Sequence, residues 1–391
     1  MAISNLLNLP SPSLSATGRI DSSPGQHQSV TPKPGTLFIR DSFLTPALGN
    51  VPHGEMVRRA ASQQGFRGPV VGYQQPMSSN SGQLLEANSA VTLQTRELTK
   101  EEALKALTDQ TRGAVIGTLD SQSQYLRSLQ QQGVKNSAVN LSWGVSKASL
   151  SLDQYEQTYQ SVGFGTANRT LENYARAFDL DMNRLNSSDQ TVRERETHKL
   201  LQNLVNHNSH VIDTDSTVKQ SKKNWETAVK SFESQKNSVV VSAGNEGGAK
   251  KAMESFSRQG LRLKTPQDFE RNALETDEVT TVGATRWFEK QSNLKEKRAN
   301  YSSHSSGVDV YASGSLSLNG TNRADTHGTS FSAPRVSATM ATLHKENPTL
   351  SSEQVERLMR EKFTHQLDEG KNQLTVLDHE KTYNFLQSQT F

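Results

Sequence analysis

His327-Gly328-Thr329-Ser330-Phe331-Ser332-Ala333-Pro334 is the stretch on which the reading of this chain turns. A Gly-Thr turn runs into a segment of small residues, so Ser330 falls in the first turn of a helix. Backbone N–H groups there have no intrahelical partner, and the helix dipole favours negative charge at that end. Pro334 is tolerated because first-turn amides have no hydrogen bond to lose. Ala333, Ser337 and Ala338 leave room for the helix to pack closely on a sheet. A serine so placed suits a nucleophile that stabilises an oxyanion beside itself. The same letters also read as an ordinary N-capped helix, and what lies upstream decides between the two.

Upstream, short apolar runs alternate with helical patterns. Residues 1–35 form a Ser/Pro-rich leader with the composition of a disordered tail. Positions 36–39 read as a buried strand leading into Arg40-Asp41-Ser42, and 69–73 as a second strand followed by a polar loop through Gly82. Thr99-Lys100-Glu101-Glu102 opens a helix as a capping box, with Ala103, Leu104 and Leu107 on its apolar side. A separate helix over 121–132 precedes the strand Ala138-Val139-Asn140-Leu141. From about 146 to 221 the chain is polar, helical in pieces and poor in strand formers, which reads as an insertion. An amphipathic helix over 225–234 and the buried strand Ser238-Val239-Val240-Val241-Ser242 follow. Positions 249–275 read as surface loops and short helix, and strands over 279–282 and 308–311 complete the sheet. Strands alternating with helices argue for a largely parallel α/β sheet covered on both faces. The folded domain then spans 36–385, with 386–391 as a tail.

Bulk properties exclude several classes of function. With 43 Lys+Arg against 40 Asp+Glu, the net charge is +3 with both signs interspersed, which leaves no footprint for nucleic acid or an acidic membrane. The absence of cysteine excludes disulfides, thiolate metal sites and a cysteine nucleophile. No apolar run approaches the roughly 20 residues that span a bilayer. The N-terminus lacks the basic region and apolar core of a secretory signal peptide.

The Ser330 segment matches, at every fixed position, the serine signature of the subtilisin-like proteases, Gly-Thr-Ser-x-Ser/Ala-x-Pro. The resemblance implies a subtilisin-like three-layer α/β/α fold, with the polar helical insertion added to it. It also implies a triad in the chain order Asp, His, Ser. His53-Gly54-Glu55-Met56-Val57 resembles the histidine motif His-Gly-Thr-His-Val, departing from it at Glu55 and Met56. His327, three residues before Ser330, approaches that hydroxyl from the wrong side. Two aspartates compete for the role of acid. Asp41 follows an apolar strand, as the acid motif of the family does, but lies only twelve positions before His53. Asp21 has the more usual spacing but sits in the polar leader. The strand end favours Asp41, because the carboxylate that fixes the imidazole tautomer must be held rigidly.

Val240-Val241-Ser242-Ala243-Gly244-Asn245-Glu246-Gly247-Gly248 resembles the subtilase Ala-Ala-Gly-Asn-Glu-Gly segment and implies Asn245 as oxyanion donor beside the Ser330 N–H. Ala138 to Gly144 resembles the edge that pairs with an extended substrate, which implies substrate contacts at Ser142, Trp143 and Gly144. The S1 pocket then lies between that edge and Ala243-Gly244, with Trp143 shaping an apolar subsite. Segments around Val282-Gly283-Ala284, Asn300-Tyr301-Ser302-Ser303 and Pro348-Thr349-Leu350 extend the resemblance over most of 36–385.

The implied reaction is peptide-bond hydrolysis by an endopeptidase, monomeric and acting on protein or peptide substrates, with neither nucleic acid nor membrane as partner. An inactive scaffold that binds a protein partner and a triad esterase are the competing readings. No cofactor is expected. Calcium is common in the family, but no ligand set is legible: Asp179-Leu180-Asp181-Met182-Asn183 has the spacing of a calcium-loop start, while Arg184 stands where glycine is needed. The leader resembles the uncleaved leaders of effectors exported by bacterial injection systems, which implies either a cytoplasmic protein or non-classical export into a host cell.

Overall fold

Val, Ile, Leu and Phe fill the short runs that form the central sheet, and their alternation decides which layer each one packs against. The computed structural model describes residues 19–21, 32–43, 51–74, 81–160, 169–256, 261–290, 293–304, 307–318, 326–370 and 372–389. The first half supplies strands β1 (Arg19–Asp21), β2 (Leu37–Asp41), β3 (Val70–Gln74), β4 (Ala138–Leu141) and β5 (Ser238–Ser242). The second half supplies β6 (Thr280–Lys290), β7 (Asn293–Arg298), β8 (Val310–Ser313), the short pair β9 (Ser315–Leu316) and β10 (Thr326–His327), then β11 (Thr364–Glu369) and β12 (Asn372–Leu377). The main sheet runs β1-β3-β2-β4-β5-β6-β8-β12-β11. All its neighbours are parallel except β11, antiparallel to β12, and β7, which forms a hairpin with β6. Helices cover both faces, so the architecture is the three-layer α/β/α sandwich that the alternation of elements predicts.

Leu37, Ile39 and Val240 point to one face, against α1 (His53–Gln63), which follows β2, and α10 (Thr329–Glu346), α11 (Ser352–Phe363) and α12 (His379–Ser388) near the chain end. Phe38, Val139, Val239 and Val241 point to the other, against α3 (Lys100–Gln131) and α8 (Ser216–Glu233). Trp225 on α8 is fully buried there, its indole N–H donating to the Leu274 carbonyl at 3.0 Å. Each such large apolar side chain contributes about 1.5–3 kcal/mol by leaving water.

The insertion builds a third core. At about 1.5 Å per residue α3 is far longer than the strands it covers, and its N-terminal half projects past the sheet. There Ala103 and Leu107 pack with α2 (Ser81–Thr95), α4 (Lys147–Gln160), α5 (Arg169–Ala177), α7 (Gln190–Thr214) and α9 (Ala249–Ser255) around buried Tyr155, Tyr174 and Leu204. The single turn α6 (Met182–Leu185) lies between α5 and α7. Buried Lys147, bonded to Asp213 at 2.8 Å and Asp268 at 2.7 Å, ties the insertion to the loops below the sheet.

Several expectations are corrected. The helices expected at 99 and at 121–132 are one helix, because Gly113 and Gly117 are buried inside it and do not break it. Leu104 is exposed while Ala103 and Leu107 are buried. The polar stretch expected to be a loop up to Gly82 turns into α2 at Ser81, and α8 begins at Ser216, inside the expected insertion. The leader is not unstructured throughout, since Arg19–Asp21 pair with β3. The rest of 1–31, and with it the leader's export character, lies outside the described residues. The tail expected from 386 is corrected too: α12 runs to Ser388 and buries Leu386. Among the described residues no helix is long and apolar enough to cross a membrane.

Candidate active site

The carboxyl ends of the parallel strands carry the polar residues singled out above. Asp41 ends β2 and is buried. His53 opens α1, and the Gly54 N–H donates to the Ser42 carbonyl at 2.8 Å, stitching the helix start to the strand end. The His53 Nδ1 lies 2.7 Å from Asp41 Oδ1, which also accepts the Ser42 N–H at 2.6 Å. A twelve-residue step therefore brings acid and imidazole into contact. Burial lowers the His53 pKa, but the hydrogen bond and charge of Asp41 outweigh it and leave the value raised above 6.5. The backbone of Asp21 runs along the outer edge, beside Tyr73 of β3, separated from β2 by that strand.

Ser330 sits in the first turn of α10, after Gly328 at the N-cap, and is largely buried. The ring of the next residue, Phe331, packs 5.8 Å from the His53 ring, so α1 and α10 meet at these side chains. The Ser330 hydroxyl donates to the Ser142 carbonyl at 3.0 Å, and the Ser142 hydroxyl donates back to the Ser330 carbonyl at 3.1 Å. His327 is turned elsewhere, its Nδ1 3.1 Å from the Ser315 hydroxyl.

Asn245 follows β5 in the Gly-rich turn. Its Oδ1 accepts the Thr329 N–H at 2.9 Å and the Thr329 hydroxyl at 3.0 Å. A backbone N–H can only donate, so the atom facing it must be the oxygen. The Nδ2 hydrogens are thereby left as donors on the cleft side, next to the N-terminus of α10. Gly244 has φ +97°, a conformation that favours glycine, and an added Cβ there would run into the Glu246 carboxylate.

A cavity of about 330 Å³ opens between Ser142-Trp143-Gly144 on one side and Ser242, Gly244 and Asn245 on the other, with Ser330 on its wall. Ala243, expected to line it, is fully buried and is not on its wall, its N–H bonded to the Val282 carbonyl at 2.9 Å. Trp143 is 46% exposed, a large apolar surface beside the cavity. Sequence reasoning missed Asn272, whose Nδ2 donates to the Ser242 carbonyl at 2.9 Å and whose side chain fills the space that Gly144 leaves. It also missed Glu86 and Asp153, which line the cavity from α2 and α4. No motif marks these three, because they arrive from separate elements. Among the described residues no group of three or more His, Asp and Glu side chains is arranged to hold a metal ion.

The subtilase family model matches residues 113–377, more than half of the chain. The chain belongs to the subtilase family. The span matched includes Ser142, Asn245 and Ser330 but neither Asp41 nor His53. No curated protein matches its sequence. Solved structures similar to it include a lanthipeptide protease (13% identity, 90% of this chain and 87% of that one, TM-score 0.41). Others are the nisin leader peptidase NisP from Lactococcus lactis (12%, 89% and 86%, 0.39) and a cold-adapted subtilisin-like serine proteinase (14%, 88% and 87%, 0.38).

Proposed function

We propose that this subtilase is an active serine endopeptidase in which Ser330 is the nucleophile, His53 the general base and Asp41 the group that orients it. The observation that carries the reading is the 2.7 Å contact of His53 Nδ1 with Asp41 at the foot of the helix that packs against Phe331. That contact commits Nδ1 to the carboxylate and leaves Nε2 to take a proton. As the Ser330 oxygen attacks a peptide carbonyl, its proton passes to His53 Nε2, and Asp41 stabilises the imidazolium. The oxyanion accepts hydrogen bonds from Asn245 Nδ2 and the Ser330 N–H, and His53 then protonates the leaving amine. Before attack the Ser330 hydroxyl must leave the Ser142 carbonyl and turn to His53, exchanging one hydrogen bond for another. An extended peptide along Ser142-Trp143-Gly144 supplies main-chain pairing.

Labelling with a fluorophosphonate tests this directly. Wild type is expected to label at Ser330 and to cleave a peptide library, and Ser330→Ala to do neither. Equal labelling of the two proteins overturns the reading. Labelling without peptide cleavage shifts it to an esterase.

A further inference from the structure

The cavity beside Ser330 has an unusual charge. Glu86 of α2, Asp153 of α4 and Glu246 of the turn after β5 all line it, and among the described residues no lysine, arginine or histidine does. Three elements distant in sequence thus bring carboxylates to one half-open cavity, two of them from the helices that build the added core. Among the described residues none of the three forms an ion pair. Glu246 Oε2 accepts the Ser303 hydroxyl, at 3.2 Å, a neutral partner.

From this arrangement we propose that the cavity receives a lysine or arginine side chain from the acyl half of the substrate, making the protein a protease for basic sequences. The proposal rests on Ser330 being the nucleophile, since that assignment makes the cavity part of the substrate cleft. Its physical basis is the cost of keeping like charges together in a partly dry space without a counter-ion. Burial pushes the Glu86 pKa up, and the Asp153 charge adds to the shift. Burial likewise pushes up Asp153, helped by Glu156. For Glu246 burial is again the leading cause, partly offset by its own N–H and Ser303, with Asp153 and Glu270 pushing further upward. A guanidinium or ammonium group entering the cavity relieves all three at once. The stem of such a side chain is apolar and packs on Trp143 while the head reaches the carboxylates. A neutral side chain fills the volume but leaves the repulsion, and an acidic one increases it.

The test uses peptides differing at single positions on the acyl side of the cleaved bond, with arginine, lysine, citrulline, norleucine or glutamate at each. Wild type is expected to cleave the best arginine or lysine peptide at least about tenfold more efficiently, in kcat/KM, than its citrulline counterpart. In Glu86→Gln/Asp153→Asn/Glu246→Gln that ratio falls toward one, and the three single variants show intermediate ratios. A binding arm makes the answer independent of turnover. Ser330→Ala is expected to bind the arginine peptide at least about tenfold more tightly than the citrulline peptide at low salt, a difference that shrinks at high salt and as pH falls. Cleavage that depends on Ser330 but shows no basic preference overturns the substrate class and leaves the hydrolase standing. If wild type cleaves nothing, the hydrolase reading fails, and equal binding of the two peptides to Ser330→Ala then overturns the acidic-cavity proposal as well. Thermal unfolding of each variant verifies that it is folded.

Discussion

His53 and Asn245 each have one polar atom already committed, and that commitment aims the other. Asp41 occupies Nδ1 of His53, and Thr329 occupies Oδ1 of Asn245. Asp41→Asn is expected to lower kcat/KM by about 10³–10⁴-fold, because an amide at that position supports the wrong tautomer. The same variant changes the pH profile. Activity needs neutral His53, so it is lost as pH falls through the raised His53 value, and the acid limb lies above that of an ordinary histidine. Removing the Asp41 charge leaves burial as the main influence, so the limb moves to lower pH while the plateau drops. A limb that stays in place as the plateau drops contradicts the assignment of Asp41. Asn245→Ala is expected to reduce kcat by about 10²–10³-fold with little change in KM, a magnitude known from a subtilisin. Single-turnover kinetics on one peptide separates the two parameters.

Between elements, the Asp41–His53 geometry depends on how β2, β3 and α1 pack. The Phe43 ring occupies space that Gly54 of α1 and Gly72 of β3 leave empty, and a Cβ at Gly72 would stand 2.6 Å from Phe43 Cζ. Phe43 itself is buried, so it has little room to retreat. Gly72→Ala is therefore expected to destabilise the fold by about 1–3 kcal/mol and to lower activity by disturbing the start of α1. Urea unfolding reads the first effect and peptide cleavage the second. The sequence revealed the elements here more readily than their contacts. The strand before Asp41 and the His53 helix were legible from apolar patterning, and the bulk of Phe43 against two glycines was not. One long helix was read as two because buried glycines mimic a break when the packing that tolerates them is unknown.

Across the whole molecule, burial produces titratable groups whose effects oppose one another. Glu233 of α8 accepts a hydrogen bond from the Ser352 hydroxyl at 2.8 Å, and Ser238 links Ser352 to buried His344. Burial pushes Glu233 up to about 8 and His344 down to about 4. A carboxyl whose folded value lies above its unfolded value binds more protons in the folded state, so its contribution falls as pH rises from about 4.5 to 8. The lowered histidine acts oppositely, and its contribution is lost as pH falls from about 6.5 toward 4. Glu233→Gln is expected to be more stable than wild type at pH 8.5 by about 1–3 kcal/mol, with the difference closing near pH 4.5. Denaturant unfolding across that range checks it, and a difference independent of pH would contradict the buried-carboxyl account.

What the sequence determined by itself was local: the strand runs, the helix starts, the order of the Asp41, His53, Asn245 and Ser330 segments, and the α/β alternation. The elements follow from apolar periodicity and turn chemistry, which act over a few residues, and the four segments from short motifs that resemble those of the subtilases. The tertiary structure alone decided that twelve residues suffice to join Asp41 to His53, and that Ala243 is buried off the wall of the cavity. It alone showed that α2 and the inserted helix α4 bring Glu86 and Asp153 to the cleft beside Ser330. Their meeting depends on how α2 and α4 pack on a helix that overruns the sheet, and side-chain packing between distant segments leaves no periodic trace in the sequence.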